Sequence, residues 1–187
     1  MQILFILNPT AGKTDCTREL PRQIEEAAAR AGLSPQGYTL QGTTHAGHAR
    51  ELAHAAAEQT RQTGETLHIY TAGGDGTFNE ALTGAYGYKN AAVGCLPFGS
   101  GNDFLRTFGT KEEFLDLDAQ LAGGEVPIDL METSLGLSAT ICAVPMESRN
   151  SGASRCAAER WPMHFPSFSS CVALSDAEWN TRLMARP

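Results

Sequence analysis

The chain has 187 residues, a formal net charge of −7 and 42% hydrophobic side chains, enough for one domain with a substantial core, or for one domain and a tail. The acidic balance argues against nucleic acid as the main partner, and no apolar run reaches the length of a membrane-spanning helix. The five cysteines, Cys16, Cys95, Cys142, Cys156 and Cys171, are spaced too widely for a CxxC metal site or a disulfide framework, so reduced thiols in a cytoplasmic protein are expected.

Gln2 to Leu7 is continuous and apolar, as a strand buried on both faces would be. No basic residue precedes it, so it reads as a first strand and not as a signal peptide. The loop Asn8-Pro-Thr-Ala-Gly-Lys13 follows. Leu20, Ile24, Ala27, Ala28 and Ala31 then fall at helical spacing, with Gly32 as the stop. A weak second strand spans 37–40, a loop 42–48, an alanine-rich helix 49–62 and a third strand 66–71. A short helix at 78–85 and a fourth strand at 91–96 come next. Lys111 to Leu121 reads as one amphipathic helix, and 126–131 and 137–143 as two more strands. Strand, loop and helix repeated in this way predict an α/β fold, a Rossmann-like, doubly wound and mostly parallel sheet.

The stretch Thr71-Ala-Gly-Gly-Asp-Gly-Thr-Phe-Asn-Glu80 joins the third strand to a helix. A glycine cluster at such a junction presents backbone N–H groups to phosphate, and Gly73, Gly74 and Gly76 permit close approach of a ligand. Asp75 places a carboxylate where a nucleotide-bound Mg²⁺ or a substrate hydroxyl could be handled. Thr77 adds a hydroxyl, Asn79 an amide and Glu80 a second carboxylate. A second glycine loop, Pro97-Phe-Gly-Ser-Gly-Asn-Asp-Phe104, ends the fourth strand, and there Asp103 could equally cap the segment that follows it. The loops at 8–13, 42–47, 73–79 and 97–103 all leave strand carboxyl ends, where the ligand crevice of such sheets lies. His45, His48 and His54 are close in sequence, but their spacing does not bring all three together and no cysteine or carboxylate completes a metal set.

Beyond residue 143 the character changes. Eighteen of the 19 glycines precede that point, whereas the remainder holds seven serines, both tryptophans and five arginines. No helical or strand period survives over 148–158. Residues 144–187 are expected to be an irregular tail, with an altered reading frame as a hypothesis for its origin. Trp161, Phe165, Phe168 and Trp179 do not make a membrane-surface helix there, because Pro162 and Pro166 interrupt it.

Three stretches in order, Asn8-Pro-x-x-Gly12, Gly73-Gly-Asp-Gly-Thr-x-Asn-Glu80 and Pro97-x-Gly-Ser-x-Asn-Asp-Phe-x-Arg106, resemble the catalytic domain of the diacylglycerol kinase and bacterial lipid kinase family. The resemblance covers about residues 1–143. It implies transfer of the γ-phosphoryl of ATP to a lipid hydroxyl, such as that of diacylglycerol at the membrane surface, with Mg²⁺. Carried over by position, Asn8, Pro9, Thr10, Ala11, Gly12 and Lys13 would hold nucleotide phosphates. So would Gly73, Gly74, Asp75, Gly76, Thr77, Phe78, Asn79 and Glu80, with Thr43 as a further ATP contact. Ser100 stands for a usual threonine in the third loop, beside Asn102 and Asp103. Asp75 and Asp129 would be the catalytic carboxylates, and Asp129 the one tied to the metal. Many members carry an acidic residue where His48 stands.

The resemblance divides the chain into a nucleotide-binding α/β kinase domain at 1–125, strands at 126–143 leading into a second, all-β domain, and the tail at 144–187. Relatives place most metal ligands and the base in that second domain, so a truncated form with impaired catalysis is the expectation. The bare strands at 126–143 would be prone to self-association, and the location would be cytoplasmic with a peripheral membrane association. Two other readings stay open: a non-catalytic nucleotide-binding fragment, and an NAD kinase-type enzyme.

Overall fold

In a computed structural model of the chain, which describes residues 1–13, 15–133, 136–139 and 171–173, strands and helices alternate strictly up to Pro97. β1 (Gln2–Leu7) sends Leu4 and Ile6 to one face of a sheet and Ile3, Phe5 and Leu7 to the other, the two-residue period of a pleated strand. α1 (Leu20–Arg30) lays Leu20, Ile24 and Ala27 on the Phe5 face, and Gly32 ends it with φ +71°. β2 (Tyr38–Gly42) pairs parallel with β1 at the edge of the sheet. α2 (His48–Thr63) covers the Ile6 face through Ala49, Ala53 and Ala57.

β3 (Leu67–Gly73) and β4 (Ala91–Pro97) divide their side chains as β1 does. Leu67, Ile69, Val93 and Cys95 join the Ile6 core, and Tyr70, Ala72, Ala92 and Leu96 the Phe5 core. Between them α3 (Asp75–Ala85) packs beside α2, where Gly84 faces the backbone carbonyl of Arg50 with no room for a Cβ. After β4 come three short helices, α4 (Asp103–Phe108), α5 (Lys111–Leu115) and α6 (Leu117–Ala122). Tyr70 donates its hydroxyl to the Gln120 carbonyl at 2.7 Å and so pins α6 to the Phe5 face. β5 (Glu125–Pro127), the hairpin β6 (Met131–Thr133) and β7 (Gly136–Ser138), and β8 (Cys171–Ala173) complete the described elements.

The strand order is β2-β1-β3-β4-β8-β5, with β6 and β7 in a separate antiparallel pair. The first four strands, β1 to β4, are parallel. With helices on both faces they form the doubly wound α/β fold expected from the sequence.

The structure corrects several sequence boundaries. α3 begins at Asp75, three residues before the predicted start, so the predicted loop 73–79 is largely the first turn of a helix. The single helix predicted over 111–121 breaks in two at Asp116, whose side chain accepts the Ala119 N–H at 3.1 Å and caps α6. The strands predicted at 126–131 and 137–143 are shorter. Pro127, which has no N–H to give a ladder, ends β5, and residues 140–143 lie outside the described residues. Of segment 144–187 the described part is β8, which enters the sheet antiparallel to β4 and parallel to β5. The aromatic residues of the tail named above lie outside the described residues.

Candidate active site

All four predicted loops lie at the carboxyl edge of the parallel strands, and backbone contacts knit them together. After β1, the Asn8 Oδ1 accepts both the N–H and the hydroxyl of Thr10, at 3.0 and 2.9 Å. The Asn8 Nδ2 donates to the Thr77 hydroxyl at 2.9 Å, tying the first loop to the start of α3. Thr77 is otherwise buried, and a Cβ on Gly73 would meet its Oγ1 at 2.6 Å. Gly12, with φ +69°, sits against the carbonyl of Phe98, where any side chain would collide. Thr10, Gly12 and Lys13 face solvent, while Pro9 and Ala11 are half-buried. Behind the loop, burial pushes the Cys16 thiol above its usual range; its sulfur donates to the Asn8 carbonyl at 3.3 Å.

After β3, the Gly73 carbonyl accepts the N–H groups of Phe98 and Gly99 at 2.9 and 2.8 Å. Gly74 and Gly99 cross backbone against backbone, so a Cβ on Gly99 would run into Gly74. The Asp75 Oδ1 accepts the N–H of Phe104 at 3.2 Å, so this carboxylate holds the start of α4. Asn102 adopts the left-handed conformation (φ 54°, ψ 52°) and donates its Nδ2 to the Gly99 carbonyl at 2.7 Å. Asn102 is therefore the cap residue and Asp103 the first helical residue, paired with Arg106 at 2.9 Å. Ser100 is exposed at the tip of the loop. Between Gly74-Asp75 and Asn102-Phe104 lies a small cleft, with Cys95 among its lining residues.

Three predicted site residues in α3 have other partners. The Phe78 ring is buried against Phe104, with ring centres 4.5 Å apart, and its N–H bonds back to Gly74. The Asn79 Oδ1 accepts the N–H of Ala139 at 3.1 Å. The Glu80 Oε1 accepts the N–H of Gly47 at 2.9 Å, which fastens the loop before α2 to α3. In that loop Thr43 is half-buried and donates its N–H to the Leu7 carbonyl at 2.8 Å. The rings of His45 and His48 stack at 4.6 Å, and the Thr44 N–H bonds to His48 Nδ1 at 3.1 Å. His54 instead meets Tyr88 edge-on. Among the described residues no three histidine, cysteine, aspartate or glutamate side chains gather as a metal set. Asp129 is exposed between β5 and β6.

The sequence reading gives no role to Gly99 and Gly101, yet Gly99 crosses Gly74, and a Cβ on Gly101 would stand 3.1 Å from Asp75 Oδ2. The signal was the spacing itself: glycines repeated at a strand end require a second backbone or a ligand close by.

A parallel sheet with its strand-end loops gathered over a helix N-terminus defines the class of doubly wound α/β proteins that bind ligands outside the carboxyl ends of their strands. Within that class the family is shown by comparison: the profile of the diacylglycerol kinase catalytic domain matches residues 2–133, and the chain belongs to that family. A probable lipid kinase YegS-like protein of Cronobacter sakazakii is 36% identical over 104 residues, 52% of this chain and 33% of that protein. The diacylglycerol kinase of Bacillus subtilis is 34% identical over 129 residues, 67% of this chain and 40% of that one. A Bacillus anthracis crystal structure assigned to the diacylglycerol kinases superposes with a TM-score of 0.51 at 25% identity, over 65% of this chain and 42% of that one. The chain thus spans about a third to two fifths of the curated relatives it matches. No described helix is long and apolar enough to cross a membrane.

Proposed function

We propose that this chain supplies the nucleotide-binding part of an ATP-dependent lipid kinase, which passes the γ-phosphoryl of ATP to a lipid hydroxyl such as that of diacylglycerol. The observation that carries the reading is the first turn of α3. The N–H groups of Asp75, Gly76 and Thr77 have no preceding helical carbonyl to bond, so they are free to meet phosphate oxygens. The fold leaves no space for a side chain at Gly73 or Gly99, but a Cβ at Gly76 would meet nothing within 4 Å. Open space at that position is what an incoming anion requires. The cleft beside Gly74 and Asp75 is small and shallow, so a phosphate would meet the α3 amides at its mouth with the rest of the nucleotide along the outer loops.

The roles follow from position. Lys13 is exposed on the first loop and would neutralise phosphate charge, while Thr43, Ser100 and the 8–13 backbone would border the nucleotide. Asp75 keeps Oδ2 for a cation after Oδ1 has accepted Phe104 N–H. Magnesium, when bound, supplies charge neutralisation on the phosphate oxygens, and it needs only one or two protein carboxylates beside them. Asp129 is the other carboxylate proposed for that purpose, while Asp103, paired with Arg106, would border the nucleotide. In the transfer, the bond from the γ-phosphorus to the bridging oxygen breaks as one to the lipid oxygen forms, and the hydroxyl proton passes to a base. Positioning and charge neutralisation supply most of the rate in such a reaction.

Calorimetry with ATP and Mg²⁺ tests the binding half of the reading, and labelled ATP with diacylglycerol micelles tests the transfer. Saturable uptake of ATP at one site supports the reading. No uptake by the folded chain, or phosphorylation of NAD in place of lipid, ends it.

A further inference from the structure

One helical turn separates Asn79 from Thr83 on α3, and their side chains reach β7 and the residue that directly follows it. The Thr83 hydroxyl accepts the Leu137 N–H at 3.3 Å, and the Asn79 Oδ1 accepts the Ala139 N–H at 3.1 Å. The Thr83 hydroxyl donates to the Asn79 carbonyl within the helix at 2.8 Å and also lies 3.5 Å from the Leu137 carbonyl, so both polar groups of Leu137 face it. The two spacings match. Four residues of helix rise about 6 Å, and two residues of strand about 6.6 Å, so two acceptors in one helical row face two successive outward amides of a strand. On its other edge β7 pairs with β6, Met131 opposite Ser138 and Thr133 opposite Gly136. α3 therefore occupies the place of a third strand.

We propose that Asn79 and Thr83 are positioning residues that fix the register of the β6–β7 hairpin on α3, and that the Asn79 side chain serves the hairpin and not the nucleotide. A slip of one residue along β7 would turn its other face to the helix and leave both acceptors empty. The pairing also sets direction: Leu137 lies by Thr83 and Ala139 by Asn79, so β7 runs toward the Asp75 end of α3. One helix would then present phosphate donors at its tip and hold, on its flank, the hairpin that directly follows Asp129. This consequence rests on the kinase reading, whereas the register claim does not.

Amide exchange by NMR on the full chain, together with ATP titration, decides it. In the wild type the Leu137 and Ala139 amides are expected to be protected. Thr83→Val should speed exchange at Leu137 about fivefold, the loss of one hydrogen bond, with Thr83→Ser restoring protection. Asn79→Ala should do the same at Ala139, and both variants should change ATP affinity by the same factor. Unprotected Leu137 and Ala139 amides in the wild type overturn the proposal. So does an ATP affinity lost in Asn79→Ala alone while Ala139 stays protected. If the wild type binds no nucleotide the kinase reading fails, and the exchange data still judge the register.

Discussion

Asp75 accepts the backbone N–H of Phe104 across the cleft at 3.2 Å, so a carboxylate from the start of α3 caps the start of α4. One side chain thus joins two loops that leave different strands, and the carboxylate proposed to meet a cation is also a structural strut. Two substitutions separate these duties. Asp75→Asn retains an oxygen for Phe104 and should melt within a degree or two of the wild type. Asp75→Ala removes the cap and should cost about 1 kcal/mol. Both should abolish the gain in ATP affinity that Mg²⁺ brings. Thermal melts and titrations with and without Mg²⁺ measure this, and a magnesium effect that survives in Asp75→Asn would remove the cation role.

The glycines sort by what surrounds them. Gly99→Ala would drive a Cβ into the Gly74 backbone, and Gly12→Ala into the Phe98 carbonyl at a positive φ. Each should cost about 1–3 kcal/mol, since backbone on both sides cannot yield cheaply. Gly76→Ala meets nothing and gains up to about 1 kcal/mol of helix propensity. It should nonetheless weaken ATP binding at least tenfold by filling the space before the α3 amides. Chemical denaturation and calorimetry on the three variants test the division. A Gly76→Ala protein that binds ATP normally would move the phosphate elsewhere.

Sequence patterns were most legible where burial follows a simple period. β1, β3 and β4, buried on both faces, and α1, with its apolar stripe and Gly32 stop, lie within two residues of expectation. The start of α3 was hidden because Gly74 and Gly76 carry low helix propensity, and packing of Phe78 and Ala81 decides the matter. The apolar spacing from Phe114 to Leu121 runs on through Asp116, which conceals that this aspartate caps a new helix. The partner of Asn79, sixty residues away on the strand side, leaves no local trace at all. That the loops share one edge of the sheet was readable from the alternation of strands and helices, because each loop leaves a strand's carboxyl end.

Phe78 offers a test of how far a motif residue can be structural. Its ring is 2% exposed and lies against Phe104, which in turn meets Phe108 at 4.8 Å. This aromatic row fastens α4 to α3 directly beneath the cleft. Phe78→Ala should cost about 3–5 kcal/mol of stability, whereas Phe78→Leu should keep most of it. Urea unfolding followed by tryptophan-independent circular dichroism gives the values. A Phe78→Ala protein with wild-type stability and lost nucleotide binding would return the ring to the ligand.

Far from the cleft, Glu58 organises the other end of α2. Arg61 donates to both of its oxygens, at 2.6 and 3.0 Å, and Gln62 and the Tyr88 hydroxyl donate at 2.9 and 3.2 Å. The Arg61 guanidinium leads in holding this carboxyl down, from an ordinary 4.5 to about 2. A group with a depressed folded value favours folding wherever it is ionised in both states, here above about pH 4.5, and loses that contribution as pH falls toward 2. The same cluster ties Tyr88 and Asn90, in the connection to β4, onto α2 through the Asn90 to Thr60 bond at 2.9 Å. Urea midpoints measured from pH 5 down to pH 2 should therefore decline less steeply in Glu58→Gln than in the wild type. Parallel declines would mean that Glu58 titrates in the folded chain as it does in the unfolded one, and the Arg61 pairing would then contribute nothing in solution.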